Sequence, residues 1–104
     1  MSPENALKLL ANPTRVAVLK WLKEPDDAFA GYSQLYPFDQ YGVCASLIQD
    51  KAGLSQPATS LCLKALQGAG LVEASKVGKW TYYRRAEPRI REVTETLTQA
   101  LQAL

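Results

Sequence analysis

Most of the chain carries apolar residues at helical spacing, and one stretch near residues 71–84 alternates as strands do. Ser2-Pro3-Glu4-Asn5 reads as a helix start: Ser2 can cap, and Pro3 suits the first helical position, where its missing N–H would be unpaired anyway. Leu7, Leu9 and Leu10 give that helix an apolar side. Asn12-Pro13 repeats the start signal. The second helix places Val16, Val18, Leu19 and Leu22 inward and Lys20 and Lys23 toward solvent, and Pro25 stops it. Gly42 opens a short helix through Lys51, with Val43, Leu47 and Ile48 apolar. Ala52-Gly53-Leu54 is a tight turn, after which Ser55 caps another helix with Pro57 in its first turn. Thr59, Cys62, Leu63 and Leu66 share one face of that helix, and Gln56, Ser60, Leu61 and Lys64 lie on or near the other. Gly68-Ala69-Gly70 ends it.

Leu71–Ser75 and Trp80–Arg84 read as strands joined by a turn at Lys76-Val77-Gly78-Lys79, a hairpin with a basic tip. Glu87-Pro88 starts a last helix with Ile90, Val93, Leu97, Leu101 and Leu104 along one side. The predicted fold is mainly α with one β-hairpin: a single winged helix-turn-helix domain over residues 1–104, with the helix-turn-helix at 43–68 and the wing at 71–85. Residues 24–41 are the least regular part and hold five of the nine aromatics, Phe29, Tyr32, Tyr36, Phe38 and Tyr41. Two roles stay open for this connection: a lid lining a ligand, or rings that pin a long loop onto the core.

Composition narrows the function. With 104 residues, 47% apolar and 21% charged, the chain has the mix of one ordinary globular domain. No apolar run can span a membrane, and the first residues show no secretion signal, so the expected location is cytoplasmic. Histidine is absent, which removes the usual general base, every Ser-His or Cys-His pair and the commonest zinc ligand. No phosphate loop and no paired carboxylates stand out, so no enzyme, cofactor or metal is expected. Two cysteines do not make a disulfide framework. Charge is uneven: residues 24–50 carry five acids and no base, whereas residues 64–91 carry seven bases against two acids. A basic second half can present one positive face to a polyanion, or can be a solvated surface that is merely uneven.

The turn at Gly53 between two helices, followed by a polar helix face and a basic hairpin, points to double-stranded DNA as partner, in a pseudo-palindromic operator. The candidate contacts on the helix are Ser55, Gln56, Thr59, Ser60 and Lys64, and on the hairpin Lys76, Lys79, Tyr83 and Arg84. Gln suits adenine edges, Ser a base or phosphate, and Lys guanine or phosphate. The alternative is a protein-interaction winged helix that binds an acidic partner. Such a face calls for aromatic or aliphatic anchors, and only Leu61 qualifies.

Leu54-Ser55-Gln56-Pro57-Ala58-Thr59-Ser60, Leu63-Lys64-Ala65-Leu66, Ala69-Gly70-Leu71-Val72 and Gly78-Lys79-Trp80-Thr81-Tyr82-Tyr83-Arg84 strongly resemble the ArsR/SmtB family of bacterial repressors. Leu10-Ala11-Asn12-Pro13-Thr14-Arg15 with Val18-Leu19 is similar to that family's N-terminal segment. The resemblance spans nearly everything outside residues 24–41. It implies a dimeric winged-helix repressor that leaves DNA when a metal ion, or in some branches thiol oxidation, acts on it. This chain departs from both familiar metal sites. The arsenic-responsive Cys-x-Cys pair falls on Cys44 and Ser46, the last helix offers Glu92 and Glu95 without histidine, and Cys62 stands where the family's usual recognition-helix histidine would be. The expected effector is therefore thiol oxidation or a small organic molecule rather than a metal. Cys44 and Cys62 are the redox candidates, with packing as buried apolar fillers the competing role. Leu7 and Leu10 on the first helix and Ile90, Val93, Leu97 and Leu101 on the last are the expected homodimer seam, with burial inside their own domain the alternative.

Overall fold

The computed structural model describes every residue from Met1 to Leu104. Helix α1 (Pro3–Leu10) starts where Ser2 Oγ accepts the Asn5 N–H at 3.1 Å. Helix α2 (Pro13–Lys23) starts where Asn12 Oδ1 accepts the N–H groups of Thr14 and Arg15 at 3.0 and 3.1 Å. Two single-turn helices interrupt the connection that the sequence left irregular, α3 (Pro25–Ala28) and α4 (Phe38–Tyr41). Strand β1 (Val43–Cys44), α5 (Ala45–Ala52), α6 (Gln56–Gly68), β2 (Val72–Val77), β3 (Trp80–Arg85) and α7 (Glu87–Gln102) complete the chain.

The hairpin is part of a three-stranded antiparallel sheet in the order β1-β3-β2. The helix expected to open at Gly42 opens at Ala45 instead. Val43 and Cys44 pair with Tyr83 and Tyr82, and Cys44 becomes the residue before the helix. Gly42 makes this approach possible. It sits at φ 89°, and a Cβ there would lie 2.4 Å from the Tyr83 carbonyl oxygen. The wing strands also run further than predicted. Lys76 and Val77 belong to β2, so the turn shrinks to Gly78-Lys79 between the paired Val77 and Trp80. Gly78, at φ 62°, takes the first position of this two-residue loop.

The core gathers Val18 and Leu22 of α2, Ile48 of α5, Leu63 and Leu66 of α6, Leu71, Val72 and Val93. Val16, expected inward, is exposed, because the buried stripe of α2 passes through Val18 and Leu22. On α1 the fully buried residue is Ala6, and Leu7 faces solvent. The aromatics of the connection pack inward as a chain. Phe29 is buried edge-on to Trp21 at 6.2 Å and to Tyr32 at 5.4 Å. Tyr36 and Tyr41 lie at 5.8 and 6.1 Å from the buried Tyr82 ring. Lys51 Nζ stands 5.2 Å from the Trp21 ring centre, tying the end of α5 to this cluster. Gln34 fixes the connection to β1: its Nε2 donates to the Tyr36 and Gly42 carbonyls and its Oε1 accepts the Cys44 N–H, each at 2.8 Å.

Helix α7 has 16 residues. At 1.5 Å per residue it is about 24 Å long. Val93 is buried in its own protomer and Ile90 and Leu97 pack partly on the same core, while Leu101 is 65% exposed. The stripe expected to form a dimer seam is thus divided, and Val93 belongs to the interior. The radius of gyration is 14.1 Å and the long axis is 46 Å. A rounder chain of this length has a radius of gyration of about 13 Å.

Candidate nucleic-acid interface

Gly53, at φ 66°, caps α5 in the left-handed conformation, and its N–H donates to the Gln49 and Asp50 carbonyls. Two residues later Ser55 Oγ accepts the Ala58 N–H at 3.2 Å and starts α6. This pair of local signals turns the chain between the two helices. Cys62, Leu63 and Leu66 seat α6 on the core. Gln56 and Lys64 consequently face water, Ser60 is half-buried, and Leu61 is exposed between them.

Thr59 is not on this face. It is buried, and its hydroxyl donates to the Ser55 carbonyl at 2.9 Å. Its i, i+3, i+4, i+7 relation to Cys62, Leu63 and Leu66 outweighs its place in the first turn, so its side chain packs inward with theirs.

The wing supplies the charge. Lys76 and Lys79 are exposed beside the turn, and Lys79 Nζ lies 5.6 Å from the Trp80 ring centre. Arg84 differs from them. It pairs with Glu73 at 3.5 Å across the hairpin and donates to the Gln40 carbonyl at 3.4 Å, so its charge is already shared. Tyr83 is half-buried against the core, and burial pushes its phenol above the usual range. Arg85 and Arg89 are tied to Glu87 and Glu92 at 2.8 and 2.9 Å, which leaves Lys64, Lys76 and Lys79 as the unpaired cations of the predicted face.

The thiols occupy different settings. Cys62 lies in the core, where burial pushes its thiol up against the opposing pull of the Arg15 charge. Cys44 is buried in β1 beside β3, with its Sγ 3.2 Å from Ser46 Oγ. Gln34, which holds the Cys44 backbone, was not singled out by the sequence. Its three bonds reach two, eight and ten residues along the chain, and no local pattern announces them.

A capped helix after a glycine turn, seated on an apolar face with its polar face outward and flanked by a basic-tipped hairpin, defines a winged helix-turn-helix. The relatives agree with that class. The chain is 40% identical over 97 residues to the HTH-type transcriptional regulator YbzH of Bacillus subtilis, covering 93% of this chain and 96% of YbzH. It is 35% identical over 98 residues to ArsR2 of Halobacterium salinarum, which carries the name of an arsenical resistance operon repressor, covering 94% of this chain and 66% of ArsR2. A crystal structure from Mycobacterium bovis, described as a possible transcriptional regulatory protein, matches with a TM-score of 0.61 and 27% identity over 97% of this chain and 90% of that one. No protein-family model matches the chain. The chain belongs to the HTH-type transcriptional regulators. Its relatives bear the names of regulators, not enzymes. No helix is long and apolar enough to cross a membrane.

Proposed function

We propose that this protein is a sequence-specific, homodimeric repressor that α6 docks in the major groove and that an effector other than a metal releases. The supporting observation is the outward face of α6. Gln56 and Lys64 are exposed and carry no side-chain hydrogen bond or ion pair within the protein, on a helix otherwise seated on the core. Gln56 and Lys64 read or position bases, Ser60 contributes a hydroxyl, and Ser55 sets the helix N-terminus toward a phosphate. Lys76 and Lys79 hold backbone phosphates, with Arg84 contributing only what Glu73 leaves free. Leu61, in the middle of this face, suits a thymine methyl.

Leu7, Leu10, Leu97 and Leu101 supply the dimer seam, since Leu7 and Leu101 are mostly exposed within the protomer. Effector release rests on either the Cys44 thiol, which has Ser46 Oγ beside it at 3.2 Å, or a small molecule against the connection, because burial pushes the Cys62 thiol up and lowers its thiolate share.

The test is fluorescence anisotropy on a duplex from upstream of the protein's own gene, beside a scrambled duplex at fixed salt, with reduced and thiol-oxidised protein. Tight selective binding lost on oxidation supports a redox repressor. Selective binding indifferent to oxidation assigns release to a small molecule. Equal affinity for both duplexes sinks the sequence-specific reading. Sedimentation of Leu101→Glu should give monomer; an unchanged species would place the seam elsewhere.

A further inference from the structure

We propose that the cleft between the connection, β1 and the wing binds a compact, uncharged, ring-bearing organic molecule. The cleft holds about 280 Å³ and opens between Leu35, Leu47 of α5, and Trp80 and Tyr82 of β3. Ligand pockets run from about 300 Å³ upward, so this one fits a single small ring system.

Three features define the ligand class. The walls are apolar and aromatic: Trp80 and Tyr82 are two residues apart on one strand and therefore share a face, presenting two rings to one space. No lining residue is charged, so an ion entering the cleft would lose hydration without a counter-charge. Polar atoms are few and converge: the Sγ of the buried Cys44 and the Oγ of the exposed Ser46 lie 3.2 Å apart in the lining and can meet one hydroxyl or carbonyl. The cleft is also preformed. The three 2.8 Å bonds of Gln34 hold its back wall, while Leu35, 73% exposed, and Trp80, 43% exposed, stand at its mouth and lack cover.

A neighbouring cleft across Ser33–Leu35 is larger, about 500 Å³, and carries Asp26 and Asp39. It favours cations, which makes ligand charge a way to tell the two apart.

The position couples the cleft to DNA. Trp80 adjoins Lys79 at the wing tip, and Leu47 lies on the first helix of the helix-turn-helix. A molecule seated between them biases the spacing of wing and α6, so ligand and operator affinities are linked in both directions. This coupling rests on the proposed operator binding, whereas occupancy of the cleft does not.

The test titrates ¹⁵N-labelled protein, without DNA, with p-cresol and with indole, alongside benzoate and benzylamine. Saturable shifts are expected at Ser33–Leu35, Cys44–Leu47 and the Trp80 indole N–H, with the charged probes at least about tenfold weaker there. Ser46→Phe, which sets a ring in the lining beside Cys44, should abolish the shifts, and Leu35→Ala, a change at an exposed residue that leaves the core alone, should weaken binding about tenfold. Saturating neutral probe should then lower operator affinity about fivefold or more. The ligand assignment is overturned by absence of saturable shifts, by equal response to charged probes, or by wild-type binding in both folded variants. Shifts as expected with unchanged operator affinity would keep the site and overturn the coupling. An operator that does not bind at all would instead count against the DNA reading.

Discussion

Removing the wing lysines gives the strongest quantitative test of how this protein holds DNA. Lys76 and Lys79 are exposed and free of carboxylates, as is Lys64 on α6, whereas Arg84 is drawn toward Glu73 at 3.5 Å. The proposed dimer therefore presents about six unpaired lysines to phosphates, for a log–log salt slope of about −5.4 at 0.9 counterions per contact. Lys76→Ala with Lys79→Ala removes about four of them, so the slope should fall to about −1.8. At 0.1 M salt each lost contact weakens binding by a factor of about 8, and the double variant by as much as 10³–10⁴. Anisotropy titrations of wild type and variant across a salt series measure both quantities. The scrambled duplex should weaken in parallel, because phosphate contacts carry no sequence information. A slope change of less than about one would refute the assignment of the wing to phosphates. A loss confined to the operator would move these lysines to base edges.

Three further outcomes follow from the packing. Gly42→Ala should cost about 1–3 kcal/mol from backbone strain at φ 89° alone, and more because its Cβ would meet the Tyr83 carbonyl at 2.4 Å. Thermal unfolding should show this as a drop of several degrees, and an unchanged midpoint would mean that β1 does not need the close approach. Thr59→Val should lose about 1 kcal/mol with the Ser55 carbonyl bond, yet bind operator as the wild type does. A large affinity loss in the folded variant would return Thr59 to the interface. Burial raises the Cys62 thiol, so the unfolded chain ionises first as pH rises. The stability linked to Cys62 is full below the ordinary thiol range near 9.0 and declines as pH climbs through that value toward the higher folded one. Urea midpoints across this range should fall less steeply in Cys62→Ala, with the remaining loss carried by Tyr82 and Tyr83, both raised by burial. Equal slopes in the two proteins would remove Cys62 as a cause.

What the sequence disclosed was local. Ser2, Asn12 and Ser55 cap the helices they were expected to cap, because each bond closes within three residues. The Gly53 turn and the wing were legible for the same reason, and the polar face of α6 followed from its apolar one. The wing turn and Val16 were misplaced within their own elements, and the other misplacements are non-local. Val43 and Cys44 have helical neighbours and become a strand only by meeting Tyr83 and Tyr82 some forty residues on. Thr59 is polar by type and buried by phase. Val93 is apolar in a stripe that also holds Leu101, and only the packed fold shows that the one is interior and the other exposed. The connection was read as irregular because α3 and α4 are each a single turn, held by the rings of Trp21, Phe29 and Tyr82 rather than by any helical period.

The division of α7 has a consequence for how much of the protein a cell must make. Its first half folds on its own core, while its last turns leave Leu101 mostly uncovered by the protomer. If a second copy provides the missing cover, part of the stability of that helix depends on mass action, and the fraction of paired reading heads rises with protein concentration. Copy number then sets the repression threshold alongside any effector. A strain with few molecules would hold its operator with lone protomers, each reaching only half a palindrome, and a modest rise in expression would close the gene abruptly.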